Sequence, residues 1–590
     1  MNSVGAVVES GGVRFRVWAP KPRTIAVEIV APAQRTVALK PTGDGWFEGF
    51  ADGLGAGARY HFVLDGERRR PDPASRAQPE GVHGPSAVVD AAAFPWSQPR
   101  RRRPLNELVV YELHVGTFTR GGTFVDAIAE IDRLVDLGIT AIEILPVASF
   151  AGRRNWGYDG VGWFAPQQSY GGPDGLRRLV DAAHARGLSF ILDVVYNHFG
   201  PEGNYVGELA PWFTSRHKTP WGDAIDYGNP AVRAYILQNA RMWFDDYRID
   251  GLRLDAVHAI ADDSPRHIVA EIAALAHERG ALIIAESDLG DANVIRESGW
   301  RCDAQWSDDF HHALHAVVTG EQKGYYVDFG AMKQLARAIK EGYVFQGEHS
   351  QLRGRPFGTP TADLPGERFV ICAQNHDQIG NRAVGERLAQ LAPGCEHAVA
   401  AVLLSSPAVP MLFMGEEHAD PAPFLYFTDH GDPELAQAVR DGRRREFPGW
   451  DASDVPDPQA AATHDRSRVN FALGDDDEPH AAVRRWHQAL LGLRREHPAL
   501  RALDRTRCQT IVDEESGSLA LIRSSDAGDV AVAVSLRGRT VTLTLPAPSR
   551  GRWQPQLDAG DARFAGAKGA RVDGTRVTLP AWGAVIFVSA

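Results

Sequence analysis

The stretch Gly251–His258, GLRLDAVH, reads as a short strand that ends in charge. Leu252 and Leu254 belong on one face, so Arg253 and Asp255 share the other. An uncompensated charge buried there is costly, and a guanidinium two positions away supplies the compensation that keeps Asp255 ionised. Seven other segments have the same short apolar texture. LVVYELHV, AIEILPV and SFILDVV precede it, and ALIIAES, AQWSDD, RFVICAQ and VPMLFMG follow. Amphipathic runs such as FVDAIAEIDRLVDLG and PDGLRRLVDAAHARG lie between strands, each closing on a glycine as helices often do. Eight strand-plus-connection units over roughly 300 residues fit a (β/α)8 TIM barrel. A doubly wound sheet shares the alternation, but the polar residues gathered at the strand ends favour the barrel.

Outward from this α/β core the texture is β. VRFRVWAP, TIAVEIV and ARYHFVLDG alternate between turns, which predicts an N-terminal β-sandwich over residues 1–95, similar to a glycogen-binding module, with Trp18 and Trp46 in its core. The Pro- and Arg-rich segment Phe94–Pro104 makes a boundary, and Arg100–Arg103 read as a solvated linker. The barrel is expected over residues 105–500, closed by the helical AAVRRWHQALLGLRREHPAL. SLALIRS, VAVAVSL, TVTLTL and AVIFVSA then predict a C-terminal β-sandwich domain over residues 503–590. The acidic GDDDE around Asp475 reads as a solvated loop.

A net charge of -12 over 590 residues argues against nucleic acid as a partner. Cys302, Cys372, Cys395 and Cys508 lie far apart without a C-x-x-C pair, which suits a reduced compartment. The opening MNSVGAVVESGG has no basic n-region, and no run of about 18 apolar residues occurs, so neither a signal peptide nor a membrane span is expected. A cytoplasmic location follows as the expectation.

In a barrel the reactive groups stand at the C-terminal ends of the strands. Those ends carry Asp193, Asn197 and His198, then Arg253 and Asp255, then Glu286, then Asn375, His376 and Asp377. Convergent carboxylates suit glycosidic bond hydrolysis, one as acid and another as nucleophile or base. Asp255 suits attack on the anomeric carbon, and Glu286, behind the apolar LIIA, suits protonation of the leaving oxygen. The residues alone leave the reverse assignment open.

DVVYNH, GLRLDAVH, the Glu of IIAES and NHD, in that order, resemble the four signature regions of the α-amylase family of glycoside hydrolases. The resemblance implies Asp255 as nucleophile, Glu286 as acid/base and Asp377 as the carboxylate that steadies the distorted sugar. It implies sugar contacts from Arg253, His198 and His376, stacking by Tyr158 of NWGYD, and Asp193 and Gln378 in the same substrate-binding set. It also implies retention of configuration, with Asp255 and Glu286 about 5–5.5 Å apart. No cofactor or metal is implied. VYELHVGTF, the stretch from ILPVASF to PQQSYGG, DDFHHALHAVVTGE and NHDQIGNR further resemble the trehalose-releasing branch, the maltooligosyltrehalose trehalohydrolases. The implied reaction cleaves the α-1,4 bond next to the terminal trehalose of maltooligosyltrehalose. The implied metabolic partner is maltooligosyltrehalose synthase, without any physical complex.

The alternative is a 1,4-α-glucan branching enzyme, for which H-D-E is expected where His376, Asp377 and Gln378 stand. A non-catalytic carbohydrate-binding protein would lose the nucleophile or the acid, and both are present. His258 is followed by Ala259 where many α-amylases have Lys-His, which fits an altered leaving portion. Bland readings accompany the remaining candidates. His311 and His315 have zinc-like spacing but no H-E-x-x-H glutamate, so they read as helix-surface or substrate-loop histidines. Asp308 and Asp309 lie near a sixth strand end as possible rim residues. Asn197, a calcium ligand in many α-amylases, is expected to make a structural hydrogen bond instead. Trp212, Phe213 and Trp221 fit sugar stacking or burial alike. Glu143 is expected to hydrogen-bond in the core, and Glu416 and Glu417 are candidates for the rim.

Overall fold

The computed structural model describes residues 3–100, 102–451 and 454–589. Its centre is a closed parallel barrel of eight strands in chain order. They are β1 (Val110–Leu113), β2 (Ala141–Ile144), β3 (Ser189–Val194), β4 (Gly251–Leu254), β5 (Leu282–Ala285), β6 (Ala304–Trp306), β7 (Phe369–Cys372) and β8 (Val409–Phe413). Every residue of these strands is buried, because one face fills the barrel and the other meets helices. This is why each reads as an unbroken apolar run rather than an alternation.

The barrel interior has two storeys. Val110, Ala141, Ile191, Leu282, Ile284, Ala304, Val370 and Met411 form one apolar cluster at its base. Two residues further along the same strand faces come Glu112, Glu143, Asp193 and Glu286, with Arg253 in register with Asp193. The fold therefore raises a layer of ionisable groups directly above a dry one.

Residues 3–87 form two antiparallel sheets, ordered Gly5–Glu9, Gly12–Trp18, Trp46–Asp52, Lys40–Gly43 and Arg35–Ala38, Ile25–Ala31, Arg59–Leu64, Arg68–Arg70. Phe15, Val27, Tyr60 and Phe62 are fully buried in it. Trp18 and Trp46 face each other across neighbouring strands and are half-buried against that core. After the long helix Glu478–Glu496, a five-stranded and a three-stranded antiparallel sheet complete the chain.

Three expectations change. FVDAIAEIDRLVDLG is two helices, Phe124–Ile128 and Ile131–Leu137, the second stopped by left-handed Gly138. The basic linker, exposed at Arg102, is nevertheless tied down. Arg100 donates to Asp250 at 3.2 Å and to the carbonyls of Ile249 and Arg279, while Arg102 and Arg103 reach the carbonyls of Gly280 and Gly187. These atoms lie where helices return to strands, so the linker is bolted under the barrel; Arg101 lies outside the described residues. Asp475 sits in a short helix, Phe471–Asp476, and pairs with Arg133 and Arg484. Among the described residues no helix is long and apolar enough to cross a membrane.

Candidate active site

A cleft of about 570 Å³ opens at the C-terminal ends of the strands. Tyr158, His198, Arg253, Asp255, Glu286, His376 and Asp377 all line it. Seven residues separated by up to 219 positions in sequence thus meet in one cavity.

Arg253 is the hub. Its Nη1 donates to Asp193 Oδ2 at 2.7 Å and to Asp255 Oδ1 at 2.9 Å, and its Nη2 lies 3.6 Å from Glu286 Oε2. The guanidinium also lies 4.2 Å over the Trp306 ring. A buried cation needs its charge and its donors compensated, and here three carboxyl groups surround it. Asp255 is fixed from its other side by Asn197, whose amide donates to its Oδ2 at 2.7 Å and its carbonyl at 2.8 Å. Asn197 is thus a hydrogen-bonding residue of the site. Ala256, between Asp255 and Val257, has φ 40°, a strained conformation for a residue with a Cβ. That turn lets its N–H donate to Glu286 Oε2 at 2.5 Å while Val257 N–H reaches the Glu286 carbonyl at 3.0 Å. The ends of β4 and β5 are stitched together, and their two carboxyl groups with them.

The environments of those two carboxyl groups diverge. Burial pushes the Glu286 carboxyl well above the usual range, and Asp255, Asp308 and Asp377 add to the rise against Arg253. Asp255 instead accepts two strong hydrogen bonds. A proton held on Glu286 beside a hydrogen-bonded carboxylate is the asymmetry an acid–nucleophile pair needs.

Tyr158 is presented by a turn that only glycine permits. Gly157 has φ 108°, and a Cβ there would lie 1.9 Å from the Pro146 carbonyl oxygen. The Tyr158 hydroxyl donates to Asp193 Oδ2 at 2.6 Å and lies 2.8 Å from His376 Nε2, with its ring stacked on the imidazole at 5.2 Å. His376 Nδ1 in turn donates to Glu112 Oε1 at 2.6 Å. Asp377 is exposed to the cleft, where Asn381 donates to it at 2.6 Å. Burial lowers the His198 pKa, and its ring stacks on exposed Trp221 at 4.0 Å.

The catalytic-domain model of the α-amylases matches residues 50–221. A malto-oligosyltrehalose trehalohydrolase from Saccharolobus solfataricus is 44% identical, the match covering 84% of this chain and 87% of that one. Another from Rhizobium sp. (strain M-11) is 41% identical over 99% of both. The chain belongs to the malto-oligosyltrehalose trehalohydrolases. Among solved structures, a putative α-amylase from Salmonella typhimurium superposes with a TM-score of 0.91 at 38% identity, over all of both chains.

Relative to the residues expected of such a trehalohydrolase, two stand apart from the cleft wall. Asp193 lies beneath it, under Tyr158 and Arg253. Gln378 is not among the lining residues, and its N–H takes the helix-capping Asn375 side chain at 2.8 Å. Of the side candidates, Trp221 lines the cleft, whereas Trp212 is buried against Trp18 and Tyr235, and Phe213 packs near Phe199. Glu416 and Glu417 are not rim residues. Glu416 accepts from Phe413 N–H, and Glu417 from the Tyr111 hydroxyl and His418, all in the core. Glu143 lacks its expected bond: among the described residues neither carboxyl oxygen has a partner, and burial pushes its pKa well up, so it stands protonated. Asp309 caps Val344 N–H at 2.6 Å; Asp308 is raised to about 7 by burial and the neighbouring Asp377. His311 and His315 are buried rather than on the helix surface; His311 bonds Ala373 and Tyr326, and His315 bonds Glu321.

Two contributors escaped the sequence reading. Glu112 is a lone acid in the apolar run LVVYELHV, although its inward parity with Asp193 follows from the strand register. The helix Pro433–Glu446, after β8, turns Val439, Gly442, Arg443 and Glu446 to the cleft at helical spacing. Its charged sequence carries little apolar signal.

Proposed function

We propose that this protein hydrolyses the α-1,4-glucosidic bond next to the terminal trehalose of maltooligosyltrehalose, with retention of configuration. Glu286 gives its proton to the glycosidic oxygen as Asp255 attacks the anomeric carbon, and trehalose leaves. The glycosyl–Asp255 ester is then resolved by water, with Glu286 now taking the proton. Arg253 holds Asp255 in line, Asp377 steadies the strained sugar, and Tyr158, His198 and His376 shape the subsite around it. Asp193 acts from below by holding Tyr158 and Arg253. The observation that carries the chemistry is one guanidinium shared by Asp255 and Glu286, whose surroundings differ so sharply. Family membership carries the substrate.

Because burial raises the Glu286 pKa, kcat/KM is expected to persist to higher pH than an ordinary glutamic acid would allow, and to fall on the alkaline side as Glu286 loses its proton. The direct test incubates the protein with maltopentaosyl trehalose and, separately, with maltoheptaose, and resolves the sugars. Trehalose appearing much faster than any maltoheptaose product supports the reading; new α-1,6 branches without trehalose refute it in favour of branching. The same reading places the protein in the cytoplasm, supplied with substrate by a maltooligosyltrehalose synthase.

A further inference from the structure

Glu112 has no part in the mechanism above, yet both of its carboxyl oxygens are committed to one cleft residue. Oε2 accepts the His376 backbone N–H at 3.0 Å and Oε1 accepts from His376 Nδ1 at 2.6 Å, with Glu112 only 1% exposed. A carboxylate that fixes both the backbone and the ring of a histidine determines where that ring's protons stand.

The consequence runs further than His376. Its Nε2 lies 2.8 Å from the Tyr158 oxygen, and the Tyr158 hydroxyl is 2.6 Å from Asp193 Oδ2. A phenol has one proton to give. Doubly protonated, His376 donates from Nδ1 to Glu112 and from Nε2 to the Tyr158 oxygen, leaving the phenolic proton for Asp193. Neutral, with its proton on Nδ1, His376 has a bare Nε2 that competes with Asp193 for the phenolic proton. Asp193 Oδ2 is also the atom on which Arg253 Nη1 rests at 2.7 Å, and Arg253 reaches Asp255 at 2.9 Å. Charges therefore alternate along one chain, Glu112, His376, Asp193, Arg253 and Asp255, with the neutral Tyr158 hydroxyl relaying between His376 and Asp193.

We propose that Glu112 is a positioning residue that holds His376 as an imidazolium and so sets the direction of the hydrogen-bond chain ending at the nucleophile Asp255. The proposal rests on the glycosidase reading of this cleft for its catalytic consequence, but not for the state of His376. The other groups facing His376 do not replace Glu112. Asp377, next in sequence, favours the charged ring, while Arg253 from β4 and burial oppose it. His114, at the end of β1, is held neutral by burial. Asp193, from β3, reaches His376 through Tyr158, and the Trp156 and Trp306 rings enclose the rest.

The test compares the full-length protein with Glu112→Gln, Glu112→Asp and Glu143→Gln. In the wild type without substrate, the 15N signals of His376, assigned by their loss in His376→Gln, should show both nitrogens still protonated at a pH where an ordinary imidazole is neutral. In Glu112→Gln they should show a neutral ring by pH 7.5. kcat/KM should fall about 100-fold in Glu112→Gln at pH 8 and by much less at pH 5.5, where the ring regains its proton. Glu112→Asp keeps the charge and should keep the wild-type pH profile at a lower rate. Glu143→Gln alters an equally buried acid on β2 that has no bond to His376, and should leave the profile unmoved. A wild-type His376 that is neutral at pH 7, or a Glu112→Gln profile parallel to wild type, overturns the proposal. The wild-type spectrum decides it even if Glu112→Gln does not fold. Absence of trehalose from the wild type would instead strike the functional reading, leaving the spectrum to judge Glu112.

Discussion

The buried pairs Glu112–His376 and Glu417–His418 both join an acid to a histidine near the top of the barrel, and of these two only the first meets the cleft. Glu112 and His376 join the end of β1 to the end of β7, and Glu417 and His418 sit in the turn after β8. Both histidines are buried and both have raised pKa values, His418 to about 9 under the pull of Glu417 and Asp420. Yet His376 passes its second nitrogen to Tyr158 at the cleft, while His418 is closed in by Glu417, Asp420 and Phe471. A shifted pKa thus marks a strong local field and nothing more; what the field faces decides whether it serves chemistry or packing.

The contrast can be broken in a graded way. The largest effect should come from Asp255→Asn, which keeps the Arg253 contact but removes the attacking oxyanion; trehalose release, followed chromatographically, should fall on the order of 10⁴-fold or more while the melting temperature stays near wild type. Arg253→Lys keeps a charge but loses the planar fork that serves Asp193 and Asp255 together. Its kcat should drop by roughly 10²–10³-fold, measured in steady state on the same substrate.

On the core side, Glu417→Gln should leave kcat/KM per folded molecule unchanged and act on stability. His418 is raised above its ordinary 6.5, so the pair's contribution is complete below about pH 6.5 and is lost as pH rises through about 9. The variant should lose roughly 2–3 kcal/mol at pH 6 and much less at pH 10, read from denaturant midpoints across that range. An activity loss tracking His418 would erase the distinction. The smallest test uses two mid-helix glycines with open space where a Cβ would go, Gly442 facing the cleft and Gly492 in the helix Glu478–Glu496 away from it. Alanine at either should stabilise by about 0.5–1 kcal/mol. Only Gly442→Ala should raise KM for long substrates.

The sequence made the barrel legible because its eight strands are apolar on both faces and short, and the charges at their ends stand out. Arg253, Asp255, Glu286 and His376 were visible for that reason. Glu112 was not, since a single acid inside an apolar run carries no sign of what it faces until the strand register is known. Glu416 and Glu417 misled for the converse reason: they follow a strand, but left-handed Gly415 turns them inward. The anchoring of Arg100, Arg102 and Arg103 was hidden because most of their partners are backbone carbonyls, which leave no trace in the sequence pattern.

Those linker arginines also impose an order on synthesis. Arg100 must wait for Asp250 and for the carbonyl of Arg279, 150 and 179 residues later in the chain. At translation rates of about 5–20 residues per second, that is a delay of roughly 10–40 s. The N-terminal sheets can close early, but the underside of the barrel stays unlatched until nearly half of the protein has been made.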